Sequence, residues 1–154
     1  MGARVIALDV SAERRQLAQT FGADEVIDPL NNDVVSAIKD LTSGEGAHKS
    51  LDCSSNSEAR AQAVKCVRTW GKACYVGEGG DVTLDVSNDL IRRQVTLIGS
   101  WTFSKNGQAD CASFVSERKI DVDALFTHEF KLEEAIEAYQ LFDQQTTGKG
   151  VFLM

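Results

Sequence analysis

The stretch Arg4-Val5-Ile6-Ala7-Leu8-Asp9 is a short apolar run that ends on an acid. A helix signal follows at once, because Ser11 is a good N-cap, Glu13 lies in the first turn and Gly22 provides a stop. No glycine-rich turn precedes the apolar run. The stretch therefore predicts a strand that ends at an aspartate, followed by a helix over about residues 11 to 21.

Helical and strand-like patterns alternate through the rest of the chain. Further strands are predicted at residues 25–28, 48–53, 72–77, 95–99 and 151–154, with a short extended piece at 82–84. The helical segments begin after Asn32 or Asp33, at Ser57, at Leu90, near Gly107 and at Leu132. Parallel neighbours need a crossover, which is nearly always a right-handed helix, so this alternation predicts a parallel α/β sheet.

The position of Asp9 points to a doubly wound nucleotide-binding fold. In that fold an acid at the carboxyl end of the second strand binds ribose hydroxyls, roughly 20 residues after a G-x-G-x-x-G turn. Here the acid is the ninth residue. The expected fold class is α/β, a Rossmann-like doubly wound parallel sheet that lacks the first strand and the glycine-rich turn. Because the first strand is central in the usual 3-2-1-4-5-6 order, a gap is expected between the second and fourth strands.

The composition argues against several classes of partner. The chain has 154 residues and a formal net charge of −7, which opposes binding to nucleic acid and to anionic membranes. No window reaches the roughly 18 to 20 apolar residues of a membrane span, and no signal-peptide pattern opens the chain. We therefore expect a cytoplasmic protein.

The spacing of cysteines and histidines predicts no metal site. None of the four cysteines forms a C-x-x-C pair, and neither histidine stands at zinc-ligand spacing. We expect buried free thiols and structural or surface histidines, and we assign no catalytic residue. The residues concerned are Cys53, Cys66, Cys74, Cys111, His48 and His128.

An ordered set of motifs resembles the zinc-containing medium-chain alcohol dehydrogenases. After Asp9, these motifs are Val76-Gly77-Glu78-Gly79-Gly80, Leu97-Ile98-Gly99-Ser100-Trp101, and Leu132-Glu133-Glu134-Ala135 followed by Gly148-Lys149-Gly150-Val151. The likeness covers essentially the whole chain, which looks like the carboxyl-terminal part of such an enzyme. Residues 1–126 would be a truncated NAD-binding domain. Residues 127–154 resemble the closing helix and strand of the family's catalytic domain.

The resemblance implies roles for three charged residues. Asp9 is similar to the acid that binds both ribose hydroxyls and selects NAD over NADP, whose added phosphate it would repel. Arg14 resembles the basic residue that touches the adenosine ribose. Lys149 matches a basic residue that reaches the pyrophosphate. The alternative for each is a solvated charge, which would lie at a strand end for Asp9, on a helix for Arg14 and in a glycine-rich turn for Lys149.

Five further positions are implied at the ends of later strands. Cys53 lies at the rim where the adenine side of the cofactor is expected, although a small buried residue would look the same. Val76 and Gly77 match backbone that the family brings to the nicotinamide carboxamide, while a plain turn glycine is the alternative for Gly77. Ser100 and Trp101 resemble the next segment that faces the nicotinamide.

The resemblance also implies what this stretch lacks. The family's zinc ligands would precede residue 1, and hydride transfer in the family needs the zinc to polarise the substrate oxygen. We expect a fragment of an NAD-dependent alcohol or polyol dehydrogenase that is inactive alone and binds NAD weakly or not at all. A competing interpretation is a nucleotide-fold module that acts by self-association, as a homodimer paired through edge strands near 82–86 and 95–99. A methyltransferase that uses S-adenosylmethionine is a third and weaker one.

Overall fold

The structure is a computed structural model that describes residues 2–144 and 148–154. By its internal contacts the chain divides into two compact units. The first unit comprises Met1–Asp28 and Phe103–Met154, and the second is Pro29–Thr102. The predicted domain boundary after residue 126 refers to the domains of the resembled family and stays a prediction.

The first unit opens with the strand and helix that the amino-terminal stretch predicts. Strand β1 (Ile6–Leu8) is followed by helix α1 (Ala12–Thr20) and strand β2 (Glu25–Ile27). The two strands are parallel, with Ile6 opposite Glu25. Ser11 caps α1 as expected, since its side chain accepts a hydrogen bond from the amide of Arg14.

The second unit holds a three-stranded parallel sheet in the order β3-β4-β5. Its elements are α2 (Val34–Leu41), β3 (Ala47–Asp52), α3 (Ser57–Lys65), β4 (Val67–Tyr75), a π-helical turn (Val86–Ile91) and β5 (Thr96–Gly99). Helix α3 packs against β3 and β4. Val64, Val67 and Ala73 are almost completely buried there and form the centre of this unit's core.

Two local predictions in this unit are corrected by the structure. Asn56, not Ser57, is the N-cap of α3, because its side-chain oxygen accepts from the amides of Glu58 and Ala59. Residues 82–84 were expected to be extended, but they belong to no strand, and Val86 begins the π-helical turn. Asp85 caps that turn through the amide of Asn88, which favours a helical turn over an edge strand.

The remainder of the first unit contains a second parallel pair. Its elements are α4 (Lys105–Glu117), β6 (His128–Lys131), α5 (Ala135–Asp143) and β7 (Gly150–Leu153). His128 pairs with Gly150 across the two strands. The His128 ring stacks on Phe130 and meets Phe142 edge-on, so this histidine has the structural role that the sequence predicts.

The parallel strands of each unit pair in a Rossmann-like order. Strands β1 and β2 form one sheet, and β3, β4 and β5 form another. Two separate sheets are what the doubly wound order 3-2-1-4-5-6 gives when its first strand is absent. Within the described ranges, no helix is long and apolar enough to span a membrane.

Candidate functional site

Asp9 lies immediately after β1, in the turn that leads into α1. Its Oδ1 accepts a hydrogen bond of 2.8 Å from the amide of Ser11. Its Oδ2 lies 3.9 Å from Nη1 of Arg14, and the Asp9 side chain is 31% exposed. The turn therefore holds the carboxylate in place at the strand end and leaves part of it accessible to a ligand.

Arg15 fixes the backbone of this turn, and the sequence analysis missed it. Its Nη1 donates to the carbonyl of Asp9 at 2.7 Å and to that of Val10 at 3.0 Å. Its Nη2 lies 3.1 Å from Oδ2 of Asp28, the residue that follows β2. One guanidinium therefore ties the ends of two neighbouring strands together. Adjacent arginines at 14 and 15 gave no signal of which one faces the strand ends.

The second unit has a comparable cluster where β3 and β4 end. Asp52 accepts from the amide and hydroxyl of Ser54 through Oδ1, and from the amide of Ser55 through Oδ2. The carbonyl of Asp52 accepts from the amides of Val76 and Gly77, at 2.9 and 3.2 Å. The loops after the two strands are therefore held against each other by one residue.

Arg60 of α3 completes this cluster. Its Nη2 donates to the carbonyl of Gly77 at 2.6 Å, and its Nε lies 3.5 Å from Oδ2 of Asp52. Its guanidinium carbon lies 5.5 Å from the centre of the Tyr75 ring, whose hydroxyl donates to the carbonyl of Arg60. The Arg60 and Asp52 side chains are only 9% and 3% exposed. The pair is a buried structural centre of this edge.

Gly77 has no room for a side chain in this arrangement. A Cβ at this position would lie 2.6 Å from the amide nitrogen of Ser55 and 3.0 Å from the carbonyl carbon of Cys53. Both neighbours are backbone atoms, which cannot move aside cheaply. The close approach of the two loops is therefore enough to require a glycine at position 77. The role of Gly77 toward a cofactor stays a prediction.

The other implied residues of this unit lie at the same strand ends. The amide of Ser100 donates to the carbonyl of Tyr75 at 2.9 Å, which places the start of the loop after β5 beside β4. Trp101 is 73% exposed. Cys53 is exposed, and partial burial, with Asp52 and Cys74 beside it, raises the pKa of its thiol. The structure thus brings Cys53, Val76, Gly77 and Ser100 to one edge.

Lys149 is held by its backbone and not by its side chain. Its carbonyl accepts from the amide of Thr127 at 2.8 Å, and its own amide donates to Oγ1 of Thr127 at 2.9 Å. Residue 149 is exposed, so its ammonium group extends from a well-anchored position. Its predicted contact with a pyrophosphate stays a prediction.

The described residues do not supply a ligand set for the zinc of the resembled family. Among the residues that the structure describes, no group of three or more His, Cys, Asp or Glu side chains could hold a metal ion. The four cysteines are all unpaired thiols, and Cys66 alone is fully buried. The donor set present therefore does not fit a zinc site.

Comparison with known proteins decides the family. A model of the zinc-binding dehydrogenase family matches residues 1–117. The chain belongs to the zinc-binding dehydrogenases. It is 36% identical over 149 residues to the zinc-type alcohol dehydrogenase-like protein YphC of Escherichia coli, covering 96% of this chain and 42% of YphC. It is 32% identical over 161 residues to L-threonine 3-dehydrogenase of Pyrococcus horikoshii, covering 97% and 44%.

Solved structures of two alcohol dehydrogenases support the same fold. The chain superposes on the alcohol dehydrogenase of Thermotoga maritima with a TM-score of 0.86 and 26% identity, covering 97% of this chain and 43% of that one. Benzyl alcohol dehydrogenase of Acinetobacter calcoaceticus gives a TM-score of 0.85 at 26% identity, covering 97% and 42%. The chain therefore spans less than half the length of the relatives it matches, and the Rossmann-like fold class is confirmed.

Proposed function

We propose that this chain is the NAD-binding part of a zinc-type alcohol or polyol dehydrogenase, and that Asp9 binds the ribose of the adenosine. Support comes from the carboxylate at the end of β1, which is fixed by Ser11 and partly exposed. A ribose diol needs an acceptor that its own protein has not saturated, and the described contacts of Asp9 leave such capacity. The negative charge favours NAD, because it would repel the 2′-phosphate of NADP.

We propose further that the chain alone does not oxidise alcohols. In the family, hydride transfer to the nicotinamide needs a Lewis acid at the substrate oxygen. The side chains described here offer no ligand group for one. The bound zinc would supply that polarisation in a complete enzyme, whereas the residues of this chain would bind and orient the dinucleotide.

Titration of the 154-residue chain with NADH, NADPH and S-adenosylmethionine tests the binding proposal. We expect weak NADH binding, weaker NADPH binding and none of the methyl donor. Asp9→Asn should weaken NADH binding by roughly 1–3 kcal/mol, the worth of a charge-assisted hydrogen bond. The matched control is Asp28→Asn, which removes the same charge at the end of β2, where the carboxylate faces Arg15 at 3.1 Å.

The control should leave the NADH affinity within about twofold, since the Asp28 carboxylate pairs with Arg15 and has no proposed contact with the ribose. An unchanged dissociation constant in Asp9→Asn would remove Asp9 from the proposed site. Binding of S-adenosylmethionine in place of NADH would replace the dehydrogenase interpretation by a methyltransferase.

A second candidate function is self-association through β5. This strand is an edge of its sheet, and all four of its residues are exposed, including Leu97 and Ile98 at 40% each. Exposed apolar edge strands are the usual sites of strand addition between chains. Light scattering should give a dimer at tens of micromolar, and Ile98→Lys should convert it to a monomer. Thr96→Lys on the same strand is the charge-matched comparison, and a monomeric wild type would reject this function.

A further inference from the structure

Arg60 is a buried cation whose contacts end on the loop after β4. The guanidinium lies beside the Asp52 carboxylate and the Tyr75 ring, and it donates from Nη2 to the carbonyl of Gly77. A buried charge is destabilising unless it is paired and hydrogen-bonded. Asp52 supplies the opposite charge. The Gly77 carbonyl is therefore the atom that this buried pair holds in one direction.

Fixing the Gly77 carbonyl also fixes the amide of Glu78. The two groups belong to one peptide unit, and in a trans peptide the C=O and N–H point in opposite directions. All peptide bonds in the described chain are trans. Since the carbonyl is turned toward Arg60, the Glu78 N–H is directed away from the guanidinium, and residue 78 is exposed.

Among the backbone groups of the loop after β4 that have no partner, one acceptor and one donor flank Gly77. Within residues 2–144 and 148–154, the Glu78 N–H and the Val76 carbonyl have no hydrogen-bond partner, while the amides of Val76 and Gly77 both donate to Asp52. A primary carboxamide offers one carbonyl acceptor and one NH₂ donor, which matches this pair of backbone groups.

We propose that Arg60 is a positioning residue for the nicotinamide end of the coenzyme, by holding the Gly77–Glu78 peptide so that the loop presents its open backbone donor and acceptor to the carboxamide. This inference rests on the proposed NAD-binding function. Arg60 touches no ligand itself, and its effect is confined to the half of the dinucleotide that carries the carboxamide.

The test compares NADH with ADP-ribose, which keeps the adenosine, the pyrophosphate and a ribose but lacks the nicotinamide. In the wild-type chain NADH should bind more tightly than ADP-ribose. Arg60→Met should reduce that preference by roughly three- to tenfold, the effect of one or two lost backbone hydrogen bonds, and leave ADP-ribose affinity unchanged. Arg60→Lys keeps the charge beside Asp52 but loses the planar fork, so its preference for NADH should be smaller than that of the wild-type chain. This variant carries the test if Arg60→Met does not fold.

Arg93→Met is the matched control for a general loss of stability. Arg93 also binds backbone carbonyls through its guanidinium, that of Val64 in α3 and that of Val67 at the start of β4, away from the end of the strand. It should alter neither affinity. Thermal unfolding of each variant establishes that the folded chain is being compared.

Each outcome separates this inference from the function on which it rests. Equal wild-type affinities for NADH and ADP-ribose would overturn the positioning role and leave nucleotide binding by the chain intact. Parallel weakening of both ligands in the folded Arg60 variants would likewise overturn it, because that pattern reflects only support of the fold. A wild-type chain that binds neither ligand would overturn the proposed function and the role of Arg60 with it.

Discussion

Two aspartates at the ends of parallel strands begin the same local motif and differ in what surrounds them. Asp9 follows β1 and Asp52 ends β3, and each is followed two residues later by a serine whose amide donates to its Oδ1. The Asp9 side chain is 31% exposed and the Asp52 side chain is 3% exposed. The two turns are alike in sequence, but one carboxylate is buried and the other is partly exposed.

The difference lies in how much of each carboxylate the protein itself uses. Asp52 accepts three hydrogen bonds from the serines at 54 and 55 and pairs with Arg60 at 3.5 Å. Asp9 accepts one hydrogen bond and faces Arg14 at 3.9 Å. A carboxylate with saturated oxygens serves the fold, whereas one with remaining acceptor capacity at an exposed strand end can serve a ligand.

The largest expected effect comes from removing each carboxylate and measuring stability. Asp52→Ala leaves the Arg60 charge buried without its partner, which should lower the free energy of unfolding by about 3–5 kcal/mol. Asp9→Ala removes a partly exposed ion pair and should lower it by less than about 1 kcal/mol. Urea denaturation of the two variants measures both. Equal losses would mean that the two turns do the same structural work, and the contrast drawn above would be wrong.

Burial in the unit that holds Asp52 should also oppose ionisation of the Cys66 thiol. Cys66 is 4% exposed, and burial raises the pKa of its thiol to about 11. The unfolded thiol ionises near 9.0, so the folded state holds its proton more tightly. The stabilisation is present below pH 9 and is lost as the pH rises through about 11, by about 2–3 kcal/mol.

Alkaline denaturation curves of the wild type and Cys66→Ala isolate this contribution. The difference in unfolding free energy between the two chains should shrink between pH 9 and 11, as the wild type loses the stability that its neutral thiol provides. Cys111→Ala, at an exposed thiol, should give a curve parallel to the wild type. A constant difference between the wild type and Cys66→Ala across that range would contradict the burial argument.

Local signals in the sequence predicted most of this fold. The caps at Ser11 and Asp33 placed α1 and α2 close to their observed bounds, whereas β4 begins at Val67 and not at residue 72, and the helical turn expected from Leu90 begins at Val86. The local signals also failed at residues 82–84. An apolar-polar alternation of only three residues does not distinguish a strand from a loop, and here the loop leads into a capped helical turn.

The buried pair was missed for a different reason. Arg60 lies three and four residues before Ala63 and Val64, at helical spacing from residues that are apolar in the sequence. A charge at such a position indicates a buried ion pair or an error of register, and this signal was overlooked. Its partner could not be found by spacing, because Asp52 lies on another element and is brought close only by the packing of α3 on β3.

A smaller effect is expected at the glycine that the buried pair holds. Gly77→Ala would place a Cβ 2.6 Å from the Ser55 amide nitrogen, and shifting that backbone should lower stability by about 1–3 kcal/mol. Gly99→Ala is the matched control, because nothing lies within 4 Å of a Cβ there. Thermal unfolding of both variants measures the difference, and an undisturbed Gly77→Ala would show that the two loops separate more easily than their contacts imply.

The smallest effect is expected at Lys149, another charged residue that the resemblance assigns to the coenzyme. Its backbone is tied to Thr127 while its ammonium group is exposed, so a pyrophosphate contact would resemble a surface ion pair. Lys149→Gln should weaken NADH binding roughly twofold at low salt. The difference should vanish at about 0.5 M salt, where charges are strongly screened. Lys131→Gln, at the end of β6, controls for net charge. The Asp9 carboxylate is fixed by Ser11, whereas no described contact holds the Lys149 ammonium group. Equal affinity of Lys149→Gln and wild type at low salt would therefore dismiss Lys149 from the proposed site without touching the proposed role of Asp9.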